Sequence, residues 1–62
     1  MPLIQIKQLE GRTTEQKRAL ARELTDAFVR VTGVKPEVVT VTIEELPAEN
    51  WATGGVLVAD RD

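Results

Sequence analysis

The second residue of this 62-residue chain is proline, directly after Met1, and the chain contains no histidine and no cysteine. Initiator methionine is usually removed when a small residue follows it, so the mature chain is expected to span 2–62. Pro2 would then carry a free secondary amine, a base and nucleophile that needs no imidazole, thiolate or metal. The plainer role for Pro2 is to start a strand, where its missing N–H does no harm. Lack of cysteine removes disulfides, thiolate catalysis and thiolate zinc sites, and lack of histidine removes the commonest general base and metal ligand. No metal site is expected. Glu44 and Glu45 resemble a carboxylate pair, but neighbours on a strand point to opposite faces and cannot serve one bond together. Gly54 and Gly55 read as turn formers, because no lysine or helix start follows them to make a phosphate cradle. Taken singly, Arg12 is a solvent-exposed residue ahead of a helix, and Trp51 is core or interface packing.

The elements that must position these residues are short. Over residues 2–8, Ile4 and Ile6 fall on one face, with Leu3, Gln5 and Lys7 on the other, which predicts a half-buried strand. Gly11 breaks the alternation, and Thr13 with Gln16 forms a capping-box pattern. A helix over 14–32 follows, with a buried stripe of Leu20, Leu24, Ala27, Phe28 and Val31. Its solvated side carries Lys17, Arg18, Arg22, Glu23, Asp26 and Arg30, where Arg22–Asp26 and Asp26–Arg30 have the spacing of helical ion pairs. Gly33 ends the helix and Pro36 prevents its resumption. Residues 38–45 are the strongest strand signal: Val39, Val41 and Ile43 line one face, and Val38, Thr40, Thr42 and Glu44 the other. A loop over 46–50, a turn-rich stretch over 51–55 and a last strand over 56–58 complete the chain.

A long helix between two strands reads as a right-handed β-α-β crossover with parallel strands. The fold class is α/β, with a small C-terminal hairpin and a single domain over 1–62. At this length burial barely offsets chain entropy, and a two-stranded sheet is marginal alone. With disulfides and metal excluded, oligomerisation is the remaining stabiliser, and a dimer is the minimum. The net charge of −2 opposes binding to a phosphate backbone. No run is long and apolar enough for a membrane span and no signal-peptide pattern is present, so neither nucleic acid nor membrane is an expected partner and the expected location is cytoplasmic.

Pro2 opening the first strand, Leu9-Glu10-Gly11-Arg12-Thr13 with Glu15-Gln16-Lys17 behind it, the Val41-Thr42-Ile43-Glu44-Glu45 strand, and Trp51 before Gly54-Gly55 form an ordered set. In that order and spacing the whole chain resembles the 4-oxalocrotonate tautomerase family. The resemblance implies β-α-β subunits forming a four-stranded sheet per dimer, and a homohexamer built as a trimer of dimers. It also implies proton transfer in enol and keto acids without a cofactor. Carried over position by position, Pro2 matches the catalytic base, Arg12 the arginine that binds a substrate carboxylate, and Trp51 the aromatic pocket wall. One position departs: muconate-specific members carry a second arginine where this chain has Thr40. Threonine offers one neutral hydrogen bond and a minor place in the pocket. Loss of a charge-stabilising donor costs roughly a hundred- to a thousandfold in rate in well-studied sites. The resemblance therefore implies a tautomerase of 2-hydroxydienoate or enolpyruvyl-type acids, not optimised for 2-hydroxymuconate.

In the chemistry that follows, neutral Pro2 takes a proton from the enol and returns it to carbon. An apolar pocket, with Ile6 and Trp51 as walls, and the charge of Arg12 both disfavour the protonated amine. Two alternatives accompany this reading. One is hydration or dehalogenation of a small unsaturated acid, whose water-activating glutamate would fall near Thr53, with Glu49 a substitute only if the loop folds back. The other is a non-catalytic oligomer or ligand-binding module.

Overall fold

Alternating apolar residues and a capped amphipathic segment give this chain two long strands around one helix in a computed structural model, which describes residues 1–61. Strand β1 spans Leu3–Leu9, helix α1 Thr14–Thr32 and strand β2 Thr40–Leu46, followed by a hairpin of β3 (Ala52–Thr53) and β4 (Val56–Leu57). β1 and β2 are parallel, with Leu3 opposite Thr40 and Leu9 opposite Leu46; β3 and β4 are antiparallel. The expected β-α-β unit and terminal hairpin are both present.

The helix start is built as the sequence predicts. The Thr13 side chain accepts from the Gln16 N–H at 3.1 Å, and the Gln16 side chain accepts from the Thr13 N–H at 2.9 Å. Such a cap contributes about 1 kcal/mol. Gly33 closes the helix in the left-handed region at φ 78°, and Gly54 and Gly55, at φ 60° and 80°, make the hairpin turn. In both strands the odd and even positions separate as expected: Ile4, Ile6, Val41 and Ile43 are half-buried towards the helix, while Gln5, Lys7, Thr42 and Glu44 are exposed.

Several local boundaries differ from the sequence reading. β1 begins at Leu3, since Pro2 has no N–H for the ladder, although its carbonyl accepts from the Thr40 N–H at 3.1 Å. β2 begins at Thr40 because Pro36 starts a 3-10 turn over Pro36–Val38, closed by the Val39 N–H on the Pro36 carbonyl at 3.1 Å. The loop after β2 contains a second such turn, Ala48–Asn50, and Val58 opens a third, so the last strand stops at Leu57. On the helix, Val31 is 81% exposed rather than part of the buried stripe. Lys17 turns inward instead of joining the solvated side and pairs with Glu45. The charged pair along the helix surface is Arg18–Glu15, while Arg22–Asp26 and Asp26–Arg30 do not form.

No described residue is fully buried, and Leu3, Val31, Val56 and Leu57 are exposed. The radius of gyration is 14.8 Å, against about 11 Å for a compact globule of this length. The accessible surface is 4791 Å², about 800 Å² above the roughly 4,000 Å² of a self-contained protein of this mass. The isolated chain lacks a closed core, as a subunit that completes its burial against other copies would.

Candidate active site

Parallel strands give the sheet one edge where both begin and another where both end. Pro2 and Thr40 lie together at the starting edge, joined by the backbone bond from Thr40 to Pro2. Pro2 is half-buried and Thr40 exposed. Met1 stands out in solvent at 95% exposed, and while it is attached the Pro2 nitrogen is a planar amide whose lone pair is delocalised.

Arg12 follows the finishing edge. The Glu10 N–H donates to the Leu46 carbonyl at 3.0 Å, extending the ladder. Gly11 then turns at φ 125°, and Thr13 caps the helix, so Arg12 is held between two fixed points. Its side chain is exposed, engages in no ion pair among the described residues, and borders a groove of about 320 Å³ with Gln16, Ala19, Leu20 and Glu23. Beneath this turn, Glu45 meets Lys17 between sheet and helix. The hydrogen bond from Lys17 holds the Glu45 carboxyl below the usual carboxylate range. Partial burial opposes that effect, and the Lys17 charge with the Arg12 and Gly11 N–H groups adds to it. Gln8 sits opposite Glu45 in the sheet register, and both keep a buried atom without a partner, Nε2 and Oε2 respectively. Glu44 faces the other way and meets Lys7 at 3.8 Å. The two glutamates do serve different faces.

Trp51 also lies beyond the finishing edge. It is half-buried beside a depression of about 240 Å³ shared with Lys7, Leu46, Asn50 and Ala52. The hairpin behind it is fixed by the Val58 N–H on the Trp51 carbonyl at 2.8 Å, and by Arg61, which donates to the Thr53 carbonyl at 2.7 Å and to the Thr53 hydroxyl. Ile6 is not a wall of this depression, because it faces the helix while its neighbour Lys7 faces Trp51.

Of the four residues singled out by sequence, Arg12 and Trp51 therefore share one end of the sheet, and Pro2 and Thr40 share the other. A seven-residue strand separates the two ends by roughly 20 Å, so a single chain does not unite them. Lys7 and Asn50 escaped the sequence reading. The strand pattern placed Lys7 on the face away from the helix, but only the fold of residues 47–51 across that face brings Trp51 and Asn50 to it.

Open sheet edges, an unfinished core and chemistry-bearing residues divided between the two strand ends define a small α/β unit whose sheet and core are left incomplete by a single chain. Residues 2–61 match the tautomerase enzyme family, and the chain belongs to that family of isomerases. It is 40% identical over 62 residues to the 2-hydroxymuconate tautomerase of Bacillus subtilis, covering the whole of both chains. The solved structure of YwhB, a homologue of 4-oxalocrotonate tautomerase, superposes with a TM-score of 0.94 at 39% identity, covering 98% of this chain and all of that one. A heterohexameric 4-oxalocrotonate tautomerase from Chloroflexus aurantiacus gives 0.91 at 42% identity, with 97% of each chain covered.

Proposed function

We propose that Pro2, freed of Met1, is the general base of a cofactor-independent enol–keto tautomerase acting on 2-hydroxydienoate or enolpyruvyl-type carboxylic acids. The observation that carries this reading is the division of Arg12 and Trp51 from Pro2 across a sheet with open edges. A second copy pairing through β1 about a two-fold axis runs antiparallel to the first. The starting edge of one copy then meets the finishing edge of the other, and Pro2 of one copy faces Arg12 and Trp51 of its neighbour. A four-stranded sheet per dimer results, and three such dimers make the proposed hexamer.

In the reaction, the neutral Pro2 nitrogen accepts the proton of the enol hydroxyl as the C=O forms, and the double bond shifts along the acid. The same nitrogen then delivers the proton to carbon, so the O–H bond is exchanged for a C–H bond with no net loss of atoms. Arg12 binds a carboxylate, an arrangement suited by a guanidinium that has no ion pair among the described residues. Trp51 excludes water, and Thr40 lends at most one neutral hydrogen bond. Nothing favours the hydration or dehalogenation alternative: Thr53 has no carboxylate and its hydroxyl is engaged by Arg61, while Glu49 borders neither the groove nor the depression.

The test is an enol-to-keto assay on 2-hydroxymuconate and phenylenolpyruvate with the processed protein, its Met1 removal verified by intact mass, beside Pro2→Ala. Loss of at least a hundredfold in kcat with Pro2→Ala is expected, at the lower end of general-base contributions of about 10²–10⁴. Equal rates would remove Pro2 from the mechanism.

A further inference from the structure

We propose that Glu45, held by Lys17, is a positioning residue for Arg12: the pair anchors the turn that carries the arginine and keeps the Glu45 carboxylate from occupying its guanidinium. This role rests on the reading of Arg12 as the carboxylate-binding residue given above, and it names what sets the place of that cation. Two consecutive residues of β2 grip the segment from residue 10 to residue 17. The Leu46 carbonyl accepts from the Glu10 N–H at 3.0 Å, and the Glu45 carboxylate pairs with the Lys17 ammonium. Between those grips lie the Gly11 turn at φ 125°, Arg12, and the helix start closed by the reciprocal Thr13–Gln16 cap. The Arg12 guanidinium has no ion pair among the described residues, so the fold locates it through its backbone.

The pair differs from the other two ion pairs of the described residues. The side chains of Lys17 and Glu45 are 33% and 22% exposed, whereas those of Lys7–Glu44 and Arg18–Glu15 are all more than half exposed. Water and salt therefore screen it less. Oε2 of Glu45 is buried without a hydrogen-bond partner, as is Nε2 of Gln8, its neighbour in the sheet register. The Gly11 and Arg12 N–H groups help to hold the Glu45 carboxyl below its usual range, which sets it beside the Arg12 backbone. A carboxylate in that place can act in two opposite ways. Paired with Lys17, it tethers the helix start to the sheet just beyond Arg12. Left unpaired, it would compete with substrate for Arg12, because a long side chain can fold back over its own backbone and a guanidinium pairs strongly with a carboxylate. Lys17 decides between the two, so its loss should harm substrate binding more than the loss of Glu45 itself.

The experiment measures kcat and KM on phenylenolpyruvate for wild type, Lys17→Met, Lys17→Arg, Glu45→Gln and the double variant Lys17→Met/Glu45→Gln. Each is made with Arg12 intact and with Arg12→Ala, and sedimentation and circular dichroism first verify assembly and fold. Lys17→Met should raise KM about tenfold, the lower end for one hydrogen bond to a charged group. Its kcat should stay within about twofold of wild type, as expected when only binding is lost. Lys17→Arg, which keeps the charge, should hold KM near that of wild type. Glu45→Gln and the double variant, which lack the competing carboxylate, should raise KM less than Lys17→Met does. In the Arg12→Ala background none of these changes should lower kcat/KM further, since residues that act through one partner lose their separate effects when it is gone. Equal losses with and without Arg12, a double variant as impaired as Lys17→Met, or a wild-type KM in Lys17→Met would overturn the assignment. If Lys17→Met does not assemble, the near-isosteric Glu45→Gln carries the same cycle with Arg12→Ala. If wild type turns over neither phenylenolpyruvate nor 2-hydroxymuconate, the tautomerase reading fails, and the anchoring is read from the NMR order parameters of the Gly11 and Arg12 N–H groups. A fall in Glu45→Gln supports it, and no change overturns it. If Pro2→Ala abolishes turnover while Lys17→Met shows no coupling to Arg12, the tautomerase reading stands and the positioning role fails.

Discussion

Dilution should melt this protein, and the size of the effect reports how many copies share the core. The surface in excess of a self-contained protein is about 800 Å². If about 57% of it is apolar, its burial is worth roughly 11 kcal/mol per subunit. That equals the whole stability of an ordinary domain, about 5–15 kcal/mol, so folding and association should be one equilibrium. Unfolding of 62 residues carries an entropy of roughly 130 cal/mol/K per subunit. Each tenfold dilution changes the free energy of a dimer by about 1.4 kcal/mol, and of a hexamer by about five times that. Divided by the entropy of two or six subunits, Tm falls by about 5 °C per decade for a dimer and about 9 °C for a hexamer. Circular-dichroism melts from 1 to 100 μM, with rescans to establish reversibility and sedimentation velocity on the same samples, measure this. A sedimenting monomer whose Tm does not depend on concentration would refute the argument that the chain's core is unfinished.

Three further outcomes follow from single contacts. Gly33→Ala should destabilise the helix end by about 1–2 kcal/mol, because φ at that position is 78° and a Cβ is penalised there; a urea midpoint equal to wild type would mean that the end refolds differently. Glu45 has a folded pKa below its ordinary value of 4.5, so its contribution is fully present above that value and disappears as pH falls through the lower folded one. The stability gap between wild type and Glu45→Gln should accordingly be open at pH 7 and close as pH falls below 4.5 and through the lower folded value, and a gap that widens in acid contradicts the Lys17 contact. Thr40→Arg, which sets a cation beside Pro2, should raise kcat on 2-hydroxymuconate by up to roughly a hundred- to a thousandfold, the range of one charge-stabilising donor. No gain in the assay would show that the starting edge of the sheet does not need a cation.

Much of this arrangement was legible in local pattern. The alternation of Ile4, Ile6, Val41 and Ile43, the Thr13–Gln16 cap and Gly33 are short-range signals, and each fixes an element without reference to the rest of the chain. Val31 and Lys17 were misplaced for a shared reason. A helical stripe gives a face but not its rotation on the sheet, and the rotation here is tied to Glu45, a residue 28 positions beyond Lys17. The start of β2 was misplaced because Val38 has strand propensity, yet Pro36 commits the three residues from 36 to 38 to a turn first.

The site was less legible because its residues are distributed by topology. Parallel pairing sends Pro2 to one edge of the sheet and delivers Arg12, Lys7 and Trp51 to the other. That separation would keep Pro2 and Arg12 of one chain from serving one site, since roughly 20 Å of strand stands between them. In the proposed two-fold dimer, one pairing of edges would complete two sites at once. The exposed apolar residues and the divided chemistry then have one cause. In the proposed dimer, a chain too short to bury its own core would complete it against a copy, and the same contact would bring Pro2 to Arg12. On this account, substitutions that loosen assembly should lower kcat before they unfold the subunit.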